Sequence, residues 1–112
     1  MARALAEITP EGIQAIVDQI VEQFHPEKVI LFGSYAHGTP YADSDVDLLV
    51  VMGTEEENRL HTAATIAMSV DHPFPMDIVV WRPGKLEESF ARRENFATEI
   101  LTRGKILYEA RD

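Results

Sequence analysis

The chain has 112 residues, 46% of them apolar, and carries a net charge of −9 with no cysteine. That length supports one small domain, residues 1–112, with a real core, and the composition excludes disulfides, thiolate metal sites and a disordered polymer. The acidity is concentrated: residues 1–81 hold 3 Lys/Arg against 13 Asp/Glu, a net −10, and residues 82–112 sum to +1. An acidic domain is repelled by phosphate backbones, so direct nucleic-acid binding is not expected. No apolar run reaches the roughly 20 residues of a membrane span, and the first residues lack a signal-peptide core. The expected location is cytoplasmic.

Thr9-Pro10 reads as a helix cap followed by proline at the first helical position. Ile13, Ile16, Val17, Ile20, Val21 and Phe24 then recur at helical spacing, and His25-Pro26 stops the helix. Lys28 to Phe32 is apolar and β-branched, a buried strand. Gly33 to Ser44 contains Gly33, Gly38, Pro40 and Asp43-Ser44, a loop with a short helical turn at Ser34 to His37. Val46 to Met52 is a second strand. Thr54 with Glu57 matches a capping box for a helix running to about Val70. Asp71-His72-Pro73 breaks the chain, and Phe74 to Trp81 is a third strand. After the Arg82-Pro83-Gly84 turn come helices over Lys85 to Arg93 and Phe96 to Arg103. Gly104 is a C-cap, and Lys105 to Glu109 is a last strand. The layout is α-β-β-α-β-α-α-β, an α+β fold with one mixed sheet and flanking helices.

Three carboxylates fall on or beside apolar strands: Asp45, Asp47 and Asp77. Residues two apart on a strand share a face, so Asp45 and Asp47 lie side by side, and Asp77 joins them if its strand is a neighbour. Such a cluster is expected to be buried and in need of a counter-charge. Magnesium suits it, because Mg²⁺ takes hard oxygen ligands and completes its shell with substrate phosphates. Two such ions can hold the attacking and leaving oxygens of a phosphoryl-type transfer, and one of the three carboxylates, with Asp77 the first choice, can accept the proton of the attacking hydroxyl. Gly33 lets the backbone approach a phosphate, and a helix opening at Ser34 aims its first amides there. Competing motifs fail. Asp43 to Asp47 begins like a calcium loop, but its sixth and twelfth positions are Leu48 and Thr54. Gly84-Lys85 has neither the upstream glycine nor the following Ser/Thr of a P-loop. No histidine spacing suits zinc, and His25, His61 and His72 read as structural.

The order Gly33-Ser34-Tyr35-Ala36-His37-Gly38, then Ser44-Asp45-Val46-Asp47-Leu48-Leu49-Val50, then Asp77 resembles the minimal nucleotidyltransferases of the DNA polymerase beta superfamily. The resemblance runs through nearly the whole chain, including Gly104-Lys105-Ile106-Leu107-Tyr108-Glu109. It implies that Asp45, Asp47 and Asp77 are the catalytic and metal-binding carboxylates, with two Mg²⁺ ions. It implies that Gly33, Ser34 and His37 bind the nucleotide together with Asp45 and Asp47, and that ATP is the substrate. A hydroxyl would attack the α-phosphate and pyrophosphate would leave. Members of this size are often antitoxins paired with a helical HEPN-type RNase toxin, and several look like enzymes that place AMP on a tyrosine of that toxin. A hetero-oligomer with such a partner is the corresponding expectation. The alternatives are a non-catalytic antitoxin that occludes its partner and a subunit of a small-molecule nucleotidyltransferase. One departure stands out: the family usually has arginine where this chain has His37. Arginine is always charged and forks onto phosphate, whereas histidine titrates near about 6.5.

Overall fold

A computed structural model describes residues 8–37 and 45–111, apart from the side chains of His37 and Glu56. The Gly38, Pro40 and Asp43-Ser44 part of the predicted loop, and the N-terminal segment 1–7, lie outside the described residues.

The first helix, α1 (Pro10–Phe24), starts and stops as its sequence dictates. The Thr9 hydroxyl accepts a hydrogen bond from the Gly12 amide at 3.0 Å, satisfying one orphan donor of the first turn. His25 takes a left-handed conformation (φ 51°) and its amide donates to the Val21 carbonyl at 3.0 Å. Four strands follow: β1 (Lys28–Phe32), β2 (Val46–Val51), β3 (Met76–Trp81) and β4 (Lys105–Glu109). They form one sheet in the order β3-β2-β1-β4. β1 pairs antiparallel with both β2 and β4, while β2 and β3 are parallel. The remaining helices are α2 (Ser34–His37), α3 (Arg59–Ser69), α4 (Lys85–Ala91) and α5 (Asn95–Arg103).

The sheet is covered on both faces. Ile13, Ile16, Val17 and Ile20 of α1 and Ile66 of α3 pack on one face against Val29, Leu31, Val46, Leu48 and Val50. Leu86 of α4 with Ala97 and Ile100 of α5 pack on the other, against Ile30, Leu49 and Val51. Central β2 is therefore apolar at every position from Leu48 to Val51, as a strand buried on both faces must be. The turn from α5 into β4 is tight. A side chain at Gly104 would stand 2.5 Å from the Ile100 carbonyl and 3.0 Å from Ile30 Cγ2.

Two expected details differ. The capping box does not form: a single 3₁₀ turn at Glu56–Asn58 intervenes, and α3 begins at Arg59 with no side-chain cap. The Thr54 hydroxyl lies 3.2 Å from that of Thr62 instead. The third strand starts at Met76, because Phe74 turns into the core at 6% exposure before the ladder begins. No helix among the described residues is long and apolar enough to cross a membrane.

Candidate active site

The site gathers where β1 ends and where β2 and β3 begin. Asp47, the second residue of β2, lies opposite Phe32 of β1 on one side and opposite Asp77 of β3 on the other. Strand alternation puts Phe32, Asp47 and Asp77 on the α4/α5 face, since Ile30, Leu49 and Val79 of the same rows pack there. Asp45 sits immediately before β2, two residues upstream of Asp47.

Gly33 follows Phe32 directly and has φ +77°, a backbone conformation that glycine adopts without penalty. A Cβ there would overlap Asp47 Oδ2 and come within 3.2 Å of Asp47 Cγ. The glycine is thus required twice, by its conformation and by the carboxylate against its backbone. The Ala36 amide closes the turn by donating to the Gly33 carbonyl at 3.1 Å, which opens α2 at Ser34. Ala36 is buried, fixing α2 against the sheet. His37 closes α2.

The carboxylates feel one another. Partial burial raises the Asp47 carboxyl above its ordinary value, and the negative charges of Asp77 and Asp45 raise it further. Depth is where the expectation needs correcting. Asp45 and Asp77 are exposed and Asp47 is only half-buried. Asp45 precedes the strand and Asp77 stands near the open end of an edge strand, so neither enters the core. The donor chemistry, hard carboxylate oxygens repelling one another at a solvent-accessible edge, fits Mg²⁺. That ion takes one or two carboxylates and leaves the rest of its shell to water and phosphate. Among the described residues no three acidic or histidine side chains form a ready-made metal cage.

Comparison with known families decides the class. The profile described as "Polymerase beta, Nucleotidyltransferase" matches residues 14–112. The chain belongs to this nucleotidyltransferase family. The α+β fold with its mixed four-stranded sheet is accordingly the polymerase beta-like nucleotidyltransferase fold. No curated protein gave a significant match. Among solved structures, a candidate nucleotidyltransferase of Sulfolobus solfataricus is 22% identical with a TM-score of 0.61, over 88% of this chain and 78% of that one. A toxin–antitoxin complex with AMP-PNP gives 22% identity and a TM-score of 0.55, covering 88% of this chain and 74% of that one. A complex of tri-AMPylated HEPN toxin with MNT antitoxin from Shewanella oneidensis gives 20% identity and a TM-score of 0.50, over 87% and 72%. At these identities the likeness is one of fold.

The candidate site has neighbours that no motif marks. Phe32, Trp81 and Phe96 cluster on the carboxylate face. In the sequence the only hints are the position of Phe32 next to Gly33 and the singular tryptophan, because Phe96 arrives from α5, distant in the chain.

Proposed function

We propose that this nucleotidyltransferase, acting as one domain, transfers AMP from ATP to a tyrosine hydroxyl of a HEPN-type toxin and so serves as its antitoxin. One juxtaposition carries the reading: the Gly33 backbone lies against the Asp47 carboxylate, which stands in register with Asp77. A phosphate at the Gly33-Ser34 turn would then sit beside the Asp47 carboxylate, with Asp77 on the neighbouring strand. The solved complexes with AMP-PNP and with AMPylated toxin, alike in fold, support the choice of nucleotide and partner.

In this account the Gly33-Ser34 turn and the first amides of α2 orient the triphosphate, with the Ser34 hydroxyl as a further donor. Asp45, Asp47 and Asp77 would hold two Mg²⁺ ions, whose contribution when bound is to neutralise phosphate charge around the α-phosphorus. Asp77, exposed at the sheet edge, accepts the proton of the attacking tyrosine hydroxyl. The new oxygen–phosphorus bond forms as the bond to the β-phosphate breaks, and pyrophosphate leaves. His37 stands where the family usually places arginine, so nucleotide affinity should rise in His37→Arg. The chain's strong acidity favours docking to a basic partner.

The test is incubation with a HEPN-type toxin, Mg²⁺ and ATP, followed by intact mass. Addition of one or more adenylates supports transfer. Neutralisation of the toxin with its mass unchanged would favour the occluding antitoxin instead.

A further inference from the structure

The carboxylate face continues into an aromatic cluster that phosphoryl chemistry does not use. Phe32 and Phe96 rings meet edge-on, with centroids 5.2 Å apart and planes at 88°. Phe96 meets Trp81 at 5.2 Å and 68°. The Lys85 ammonium lies 5.1 Å from the Trp81 ring centre, fixing the indole by a cation–π contact. Phe96, the ring common to both pairs, nevertheless keeps 36% of its surface exposed. The exposed part of the Phe96 ring is open to a stacking partner.

Its position suggests what covers it. Phe32 lies opposite Asp47 across the ladder and next to Gly33 along the chain, so the cluster begins one residue from the phosphate turn. Asp47, Asp77, Phe32 and Trp81 share one face of the sheet. A nucleotide with its phosphates at Gly33 has its base a few ångströms further on. Aromatic rings are the usual sequence-tolerant receivers of a base, because every base presents a π face.

We infer that Phe32, Trp81 and Phe96 form the stacking platform for the nucleotide base, with Phe96 the ring that the base covers. The inference rests on the nucleotidyltransferase reading and deepens it. A purine, with the larger π surface, is the preferred base.

Trp81 is the single tryptophan, so its fluorescence reports on the platform directly. The experiment compares MgATP, MgCTP and magnesium tripolyphosphate binding by fluorescence and calorimetry, in wild type, Phe96→Ala and Phe96→Tyr. ATP should quench Trp81 and bind more tightly than CTP, and tripolyphosphate should bind without quenching. Phe96→Ala should weaken ATP about tenfold or more while leaving tripolyphosphate affinity unchanged, and Phe96→Tyr should retain ATP binding. Wild type that binds ATP without quenching, or Phe96→Ala that binds ATP as wild type does, overturns the platform alone. Equal loss of ATP and tripolyphosphate binding in Phe96→Ala also overturns it, by showing a structural effect. Wild type that binds neither ligand overturns the nucleotide reading and the platform together.

Discussion

At the scale of single residues, Gly33 and Asp47 carry the most consequence. Gly33→Ala forces a Cβ into a left-handed conformation and onto the Asp47 carboxylate. The variant should lose about 1–3 kcal/mol of stability in urea unfolding and most of its nucleotide affinity, because relief requires moving either the turn or the carboxylate. The Asp47 carboxyl is raised above the ordinary 3.8 by burial and by Asp77 and Asp45, so the folded chain holds that proton to higher pH than the unfolded chain. Stability is therefore undiminished below pH 3.8 and falls as pH rises through the raised folded value. Asp47→Asn removes the penalty. In metal-free buffer at neutral pH its Tm should exceed wild type by about 2–6 °C, and the gap should close in acid near pH 3. Mg²⁺ with ATP should then raise the wild-type Tm and leave the variant's unchanged. A lower Tm for Asp47→Asn would show that the carboxylate is structural.

At the scale of elements, the chain advertised most of its units. Thr9-Pro10, the Ile/Val stripe and His25-Pro26 mark α1 from end to end, and the apolar runs mark β1 and β2. The start of α3 was illegible, because Thr54 and Glu57 satisfy a pattern that the 3₁₀ turn at Glu56–Asn58 displaces. The end of α3 shows what else local pattern omits. His72 lies beyond that helix, with Nε2 3.2 Å from the Ala67 carbonyl and Nδ1 3.0 Å from the Phe74 carbonyl. Carbonyl oxygens only accept, so a neutral ring donates to one of them and an imidazolium to both. The ring thereby ties the last turn of α3 to the approach of β3, the strand that carries Asp77. His72→Ala should cost about 1–2 kcal/mol in denaturant unfolding. It should also weaken nucleotide binding less than Gly33→Ala does, since it acts on strand placement and not on the turn itself.

At the scale of the whole molecule, the α+β layout could be read from the alternation of periods, but the sheet order could not. Nothing local says that β3 joins β2 in parallel, and that pairing is what brings Asp77 opposite Asp47. Exposure is not legible locally either. Carboxylates in apolar runs suggest burial, yet Asp45 precedes its strand and Asp77 sits at a sheet edge, exposed to solvent. A site at such an edge is open to a large acceptor such as a protein side chain. The acidic majority of the chain favours a basic protein over nucleic acid as the source of that side chain. The most direct measurement is transfer of labelled AMP from ATP to a HEPN-type toxin by wild type and by the Asp45→Ala/Asp47→Ala double variant, in Mg²⁺ and in EDTA. Label should reach the toxin only with wild type and Mg²⁺, and the double variant should stay folded without transferring. Label carried to the toxin by the double variant would contradict a catalytic role for these carboxylates.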